Sequence, residues 1–100
     1  MQEVLKQHAI EFDKKVVGDV KLPRTLILYT VDAAHFVLSV KPLENLELTA
    51  LTKARISVDV EDGKYLIRLP AKVYNFYQMD ESDYTVMSSD KDPLTIIVVV

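Results

Sequence analysis

The chain has 100 residues, 49% apolar and 27% charged, with a formal net charge of −3 at pH 7. That is the composition of one globular domain, too short for two independent cores. It argues mildly against a surface dominated by phosphate contacts, since Lys and Arg number six against seven Asp and Glu in residues 1–50 and six against eight in 51–100. The absence of cysteine excludes disulfides, thiol catalysis and thiolate zinc sites, and it fits a reducing cytosol. No apolar run approaches the ~18 residues a membrane-spanning helix needs, and no charged-then-apolar leader opens the chain. The expected location is therefore cytoplasmic.

Residues 1–7 are polar apart from Val4 and Leu5 and read as a loose terminus or one helical turn. Ile10 and Phe12 then alternate with Glu11 and Asp13, the period of a half-buried strand. After a turn at Lys14-Lys15, Val16-Val17 and Val20 to Leu22 predict a second strand, bent at Gly18. Pro23 suits the first position of a helix; Thr25–Thr30, β-branched and apolar, could by propensity be a strand, but it reads as a short helix because its counterpart at residues 72–77 fits one better. Asp32 to Ala34 turn the chain into a strand carrying Phe36, Leu38 and Val40, which Pro42 ends. Leu46, Leu48 and Leu51 form one more element.

Ile56, Val58 and Val60 alternate with Ser57 and Asp59 and run into Glu61-Asp62-Gly63. An Asp-Gly pair between two alternating runs is a strong hairpin signal, because Gly accepts the positive φ of a tight turn. The return strand ends at Leu69-Pro70, and a second helix over residues 72–77 follows, with Val73, Phe76 and Tyr77 on one face. Asp80 to Asp83 make an acidic turn, Tyr84 and Val86 start a strand, and residues 88–92 form a polar loop. The last segment, from Leu94 to Val100, contains a run without polar alternation, TIIVVV. Such a run suits a strand covered on both faces, or one that meets a second subunit as a homodimer.

The two halves echo each other. Lys21-Leu22-Pro23 aligns with Arg68-Leu69-Pro70 and Tyr29 with Phe76; one deletion then brings Val31-Asp32 onto Met79-Asp80 and His35-Phe36 onto Asp83-Tyr84. This predicts a single domain of two repeats, about 8–51 and 54–100, each ββαββ. The pattern resembles the SpoVT/AbrB swapped-hairpin family, carried by Ile67-Arg68-Leu69-Pro70, Val73, Met79, Asp83, Val86 and Ile96 to Val98 in the second unit. In the first it is carried by Val20-Lys21-Leu22-Pro23, Leu26, Val31, Phe36 and Leu38. The resemblance implies a mainly β fold, a small barrel of two pseudo-symmetric units akin to double-psi barrels. It also implies a DNA-binding transcriptional regulator.

A nucleic-acid surface would draw on Lys14, Lys15, Lys21 and Arg24 from the first unit and Arg55, Lys64, Arg68 and Lys72 from the second. Cations from two hairpins gathered on one side suit a duplex, since phosphate contacts supply most non-specific affinity. Family members place arginines on the helix, where this chain offers Lys72, Tyr74 and Asn75, or Arg24 and Thr25. The alternative is therefore a protein-interaction module, an antitoxin-like or adaptor barrel whose apolar edge or acidic loops meet a partner. Tyr74 and Tyr77 could stack bases, although a helical Tyr more often packs its ring and leaves its hydroxyl wet. His8 and His35 lack metal-ligand spacing, and Asp80, Glu81 and Asp83 lack the glycine of a calcium loop, so no metal is expected. With no Gly-rich phosphate loop and no nucleophile elbow, neither catalysis nor a cofactor is expected.

Overall fold

The structure is a computed structural model that describes residues 8–18, 20–79, 83–89 and 94–100. Its described strands are β1 (Ala9–Asp13), β2 (Thr25–Thr30), β3 (His35–Ser39), β4 (Thr52–Glu61), β5 (Lys64–Arg68), β6 (Thr85–Ser88) and β7 (Thr95–Val99). Two short helices, α1 (Glu44–Thr49) and α2 (Ala71–Phe76), and one 3₁₀ turn, Lys14–Val17, complete them. All pairings are antiparallel, in the order β1-β5-β4-β2-β3-β7-β6. The sheet curls into a nearly closed barrel, for β6 lies against the 3₁₀ turn that follows β1.

Where the two edges approach, a side chain does what backbone pairing does not. The Glu11 N–H donates to the Tyr84 hydroxyl at 3.1 Å, and that hydroxyl lies 3.3 Å from the Glu11 carbonyl, to which it donates. The open side of β1 is thereby satisfied locally, which blunts an edge that would otherwise be available for pairing.

Alternation fills the core. Ile10 and Phe12 of β1, Leu26 and Leu28 of β2, Phe36 and Leu38 of β3, Ile56 and Val58 of β4, Tyr65 and Ile67 of β5 and Ile96 and Val98 of β7 form one cluster. Leu69, Val73, Tyr77 and Met79 cap it from the α2 side. The hairpin at Asp62-Gly63 forms as expected, both residues at positive φ (51° and 77°).

The second half adopts the expected strand, strand, helix, strand, strand order element by element. The first half departs from it in three places. The turn expected at Lys14-Lys15 runs on through Val16-Val17 as a 3₁₀ turn, which the Asp13 side chain caps by accepting from the Lys15 N–H, and residues 20–22 form no strand, so the expected second strand is absent there. Thr25–Thr30 is a strand, not a helix: it pairs with β3 on one side and β4 on the other. Its Leu26 and Leu28 face the core while Ile27 and Tyr29 are buried outside that cluster. A segment apolar on both faces shows no period, so neither Pro23 nor the counterpart at residues 72–77 decides its form. The Leu46-Leu48-Leu51 stretch is the helix α1 followed by a loop rather than a strand.

The TIIVVV run proves to be an inner strand, with β3 and β6 on its two sides. The terminal residues 1–7, the acidic turn at 80–82 and the loop at 90–93 lie outside the described residues. Among the described residues no helix is long and apolar enough to cross a membrane.

Candidate interaction surface

The eight cations expected at a nucleic-acid face divide between different parts of the barrel. The Lys14 N–H donates to the Gly63 carbonyl, and its Nζ lies 5.7 Å from the centroid of the Tyr65 ring. The Tyr65 hydroxyl in turn accepts from the Leu22 N–H at 3.2 Å, which brings the Lys21 stretch to the same end. Lys64 stands opposite Asp13 across the β1–β5 ladder. Lys14 thus lies against Tyr65, and Lys15, Lys21 and Lys64 stand on the chain segments that adjoin it. Carboxylates share that end: Lys64 Nζ lies 3.8 Å from Glu11 Oε1, and Glu61 and Asp62 form the adjoining hairpin turn.

The other four stand apart. Arg24 offers its carbonyl to the Val58 N–H, Arg55 projects from the outer face of β4, and Arg68 Nε donates to Asp59 Oδ2 at 2.9 Å. Lys72 sits on α2 at the rim of a cavity. β1 pairs with β5, not with a strand from its own half, so the paired hairpins expected to present Lys21 and Arg68 in equivalent places do not form.

That cavity opens between α2 and the start of β4. Thr30, Leu51, Thr52, Lys72, Val73 and Phe76 line it, with a volume of about 110 Å³. An apolar cavity of ~150 Å³ holds a benzene, so this one suits a single aliphatic side chain and not a cofactor, whose pockets run to ~300 Å³ and more. Leu51 is 65% exposed and Phe76 55%. The expected shared face of α2 is thus corrected: Val73 and Tyr77 are buried, but Phe76 stands at the rim because the helix caps the barrel's end and only part of its circumference meets the core. Its ring packs edge-on against Tyr77 at 4.9 Å.

Tyr77 is no base-stacking platform. Its hydroxyl donates toward the carbonyls of Asp32 (2.9 Å) and His35 (2.8 Å), and burial, with the Asp32 charge nearby, pushes its pKa up to about 12. The expectation of a wet hydroxyl fails for the same reason. The Asp32 carboxylate is held below the ordinary range by the Ala34 N–H, then by the His35 ring 2.8 Å away.

A second, open groove of about 320 Å³ lies on the outer face, lined by Ile27, Pro42, Glu47, Lys53, Ala54 and Arg55. Here Tyr29, buried on the outer side of β2, donates to Glu47 Oε2 and accepts from the Leu43 N–H. Lys53 Nζ donates to Glu47 Oε1 at 2.6 Å. Burial and the Glu47 bond raise the Tyr29 pKa; the Lys53 bond, then the Tyr29 bond, lower that of Glu47. This chain of three groups clasps α1, which buries no residue and has no side-chain cap. Sequence reasoning missed Tyr29, Glu47 and Lys53 because they come from three elements at no regular spacing. A strand assignment for Thr25–Thr30, with Tyr29 on its outer face, was the signal that would have found them.

Among the described residues no group of His, Asp or Glu side chains could hold a metal ion. No family model matches the chain, and neither a curated protein nor a solved structure matches it.

Proposed function

We propose that the protein is an interaction module that docks a protein partner on the barrel end around Leu51 and Phe76. The apolar surface there carries the reading. Of the exposed large hydrophobic residues, Leu51 and Phe76 line the cavity; Val31 directly follows Thr30 of the same lining, and Leu48, 88% exposed, lies just upstream of Leu51. Single exposed apolar residues need no explanation, but several grouped around a concave site with a polar rim mark a place where another molecule sits. Affinity capture from the native host with the wild-type protein and with Leu51→Asp combined with Phe76→Asp tests it. Both residues are more than half exposed, so the variant keeps its fold by circular dichroism. A partner lost with the variant supports the reading; the same proteins on both baits would refute it.

A second reading is favoured by Lys14 against Tyr65 with the lysines on the adjoining segments, and by the ββαββ order of residues 52–99, in keeping with a swapped-hairpin barrel that contacts duplex DNA. Its test is a titration of mixed-sequence duplex at about 50 mM and about 200 mM salt, since phosphate contacts weaken steeply over that range. Binding at low salt that Lys14→Glu with Lys64→Glu removes would support it. No binding at either salt would dismiss it.

A further inference from the structure

In an antiparallel ladder, alternate residues turn their backbone N–H and C=O groups to opposite sides. In β4 the phase is set by Val58, whose N–H donates to the Arg24 carbonyl at 2.7 Å. Ile56, Ala54 and Thr52, in register with Leu26, Leu28 and Thr30, therefore spend their backbone groups on β2. Lys53, Arg55 and Ser57 turn theirs to the other side. Farther along the strand that side belongs to β5, which pairs from Val58↔Ile67 to Glu61↔Lys64. At Leu69-Pro70 the chain leaves the sheet for α2, and among the described residues no strand replaces it along residues 53–57. The edge of β1 is answered by Tyr84; among the described residues no side chain does the same for this one.

We propose that this edge of β4 receives an extended, acidic segment of a protein partner as an added strand. The inference rests on the interaction reading above and names the recognition chemistry. Strand addition draws affinity from main-chain hydrogen bonds and specificity from the pockets that alternate side chains meet. Both faces of this edge carry such features. On the inner side lies the cavity between Thr52 and Leu51 of one wall and Val73 and Phe76 of the other, sized for one aliphatic side chain. On the outer side Arg55 is exposed without a carboxylate partner among the described residues, beside Lys53, which is paired with Glu47. An occupant with an aliphatic residue turned inward and carboxylates on either side of it turned outward meets the cavity and Arg55.

Cations on a strand edge also serve simply to discourage chance pairing. A guard of that kind has no use for an apolar cavity on its other face. A second copy of this chain is a poor occupant, since two β4 edges laid antiparallel would set Lys53 and Arg55 against their own counterparts.

The test uses the whole protein, ¹⁵N-labelled, and a capped peptide of alternating Glu and Val with Leu at its centre. Two further peptides carry N-methyl groups on one or the other set of alternate amides. Strand addition slows hydrogen exchange at the Lys53 and Arg55 amides by about tenfold or more and is abolished by one methylation pattern but not the other. Arg55→Glu weakens binding by about tenfold or more, and a peptide with Lys in place of Glu does not bind. No binding by the acidic peptide, equal binding by both methylated forms, or binding that leaves those two amides unchanged would overturn the proposal. The two failures separate: if a captured host partner is lost with Leu51→Asp and Phe76→Asp but leaves the Lys53 and Arg55 amides exchanging freely, strand addition falls while the interaction reading stands. A capture with no variant-sensitive protein sinks the interaction reading.

Discussion

Four of the five tyrosines act as ties between segments distant in the chain. The hydroxyls of Tyr84, Tyr77, Tyr65 and Tyr29 reach backbone groups of Glu11, Asp32 and His35, Leu22, and Leu43 respectively. Each presents an apolar ring to the protein and a polar tip to a backbone group of a distant segment. Tyr84→Phe should therefore cost about 1 kcal/mol in urea denaturation and speed exchange of the Glu11 amide, because that N–H loses its partner at the barrel's seam. Tyr77 makes a pH prediction. Its pKa is raised to about 12 from an ordinary 10, so between those values the folded chain holds a proton that the unfolded chain has lost. Stability from this group is complete below pH 10 and falls as pH rises toward 12. Denaturation midpoints measured from pH 8 to 12 should show a decline that Tyr77→Phe lessens.

At the scale of elements, β7 shows what an unpatterned run conceals. Ile96 and Val98 are wholly buried in the core, whereas Ile97 and Val99 lie on the outer face and are only half-buried. Ile96→Ala should cost about 2–5 kcal/mol, the range for emptying a packed aliphatic site. Ile97→Ala, one residue on, should cost about 1 kcal/mol or less. Equal losses in chemical denaturation would contradict the register Leu38↔Ile96 and Val37↔Ile97. α1 is the opposite case. A helix of six residues is far below the length that holds in water, so its place depends on the Tyr29–Glu47–Lys53 clasp.

Over the whole molecule, the radius of gyration of 12.8 Å matches the ~13 Å of a compact chain this long. No buried side-chain nitrogen or oxygen among the described residues lacks a hydrogen-bond partner. Acid should be the weak side of this barrel. Glu47 and Asp32 both have lowered pKa values, so what they contribute is present above the ordinary carboxylate range and lost as pH falls through their folded values. Thermal midpoints should fall below about pH 4, and Glu47→Gln should flatten that fall while lowering the midpoint at pH 7. An acid limb unchanged by Glu47→Gln would remove the clasp from the account.

The second half of the fold was legible because its signals are local. Asp62-Gly63 admits a tight turn, Leu69-Pro70 ends a strand, and Val73 with Tyr77 sets a helical face. Each depends on backbone preferences carried by neighbouring residues. In the first half the alternation at Ile10 and Phe12 and at Phe36 and Leu38 was legible as β1 and β3, but Thr25–Thr30 was not, because burial on both faces erases the period that separates strand from helix. Only tertiary contacts, β3 and β4 on either side and residues 42–47 across Tyr29, decide its form. The cations could be listed from the chain, but their grouping could not. Whether lysines stand together is set by which strands pair, and β1 joins β5 across the length of the chain, not a neighbour in its own half. The edge of β4 that no strand covers among the described residues was equally hidden. It exists because one long strand serves two partners in turn and the second turns away into a helix, a fact of topology that no window of sequence contains.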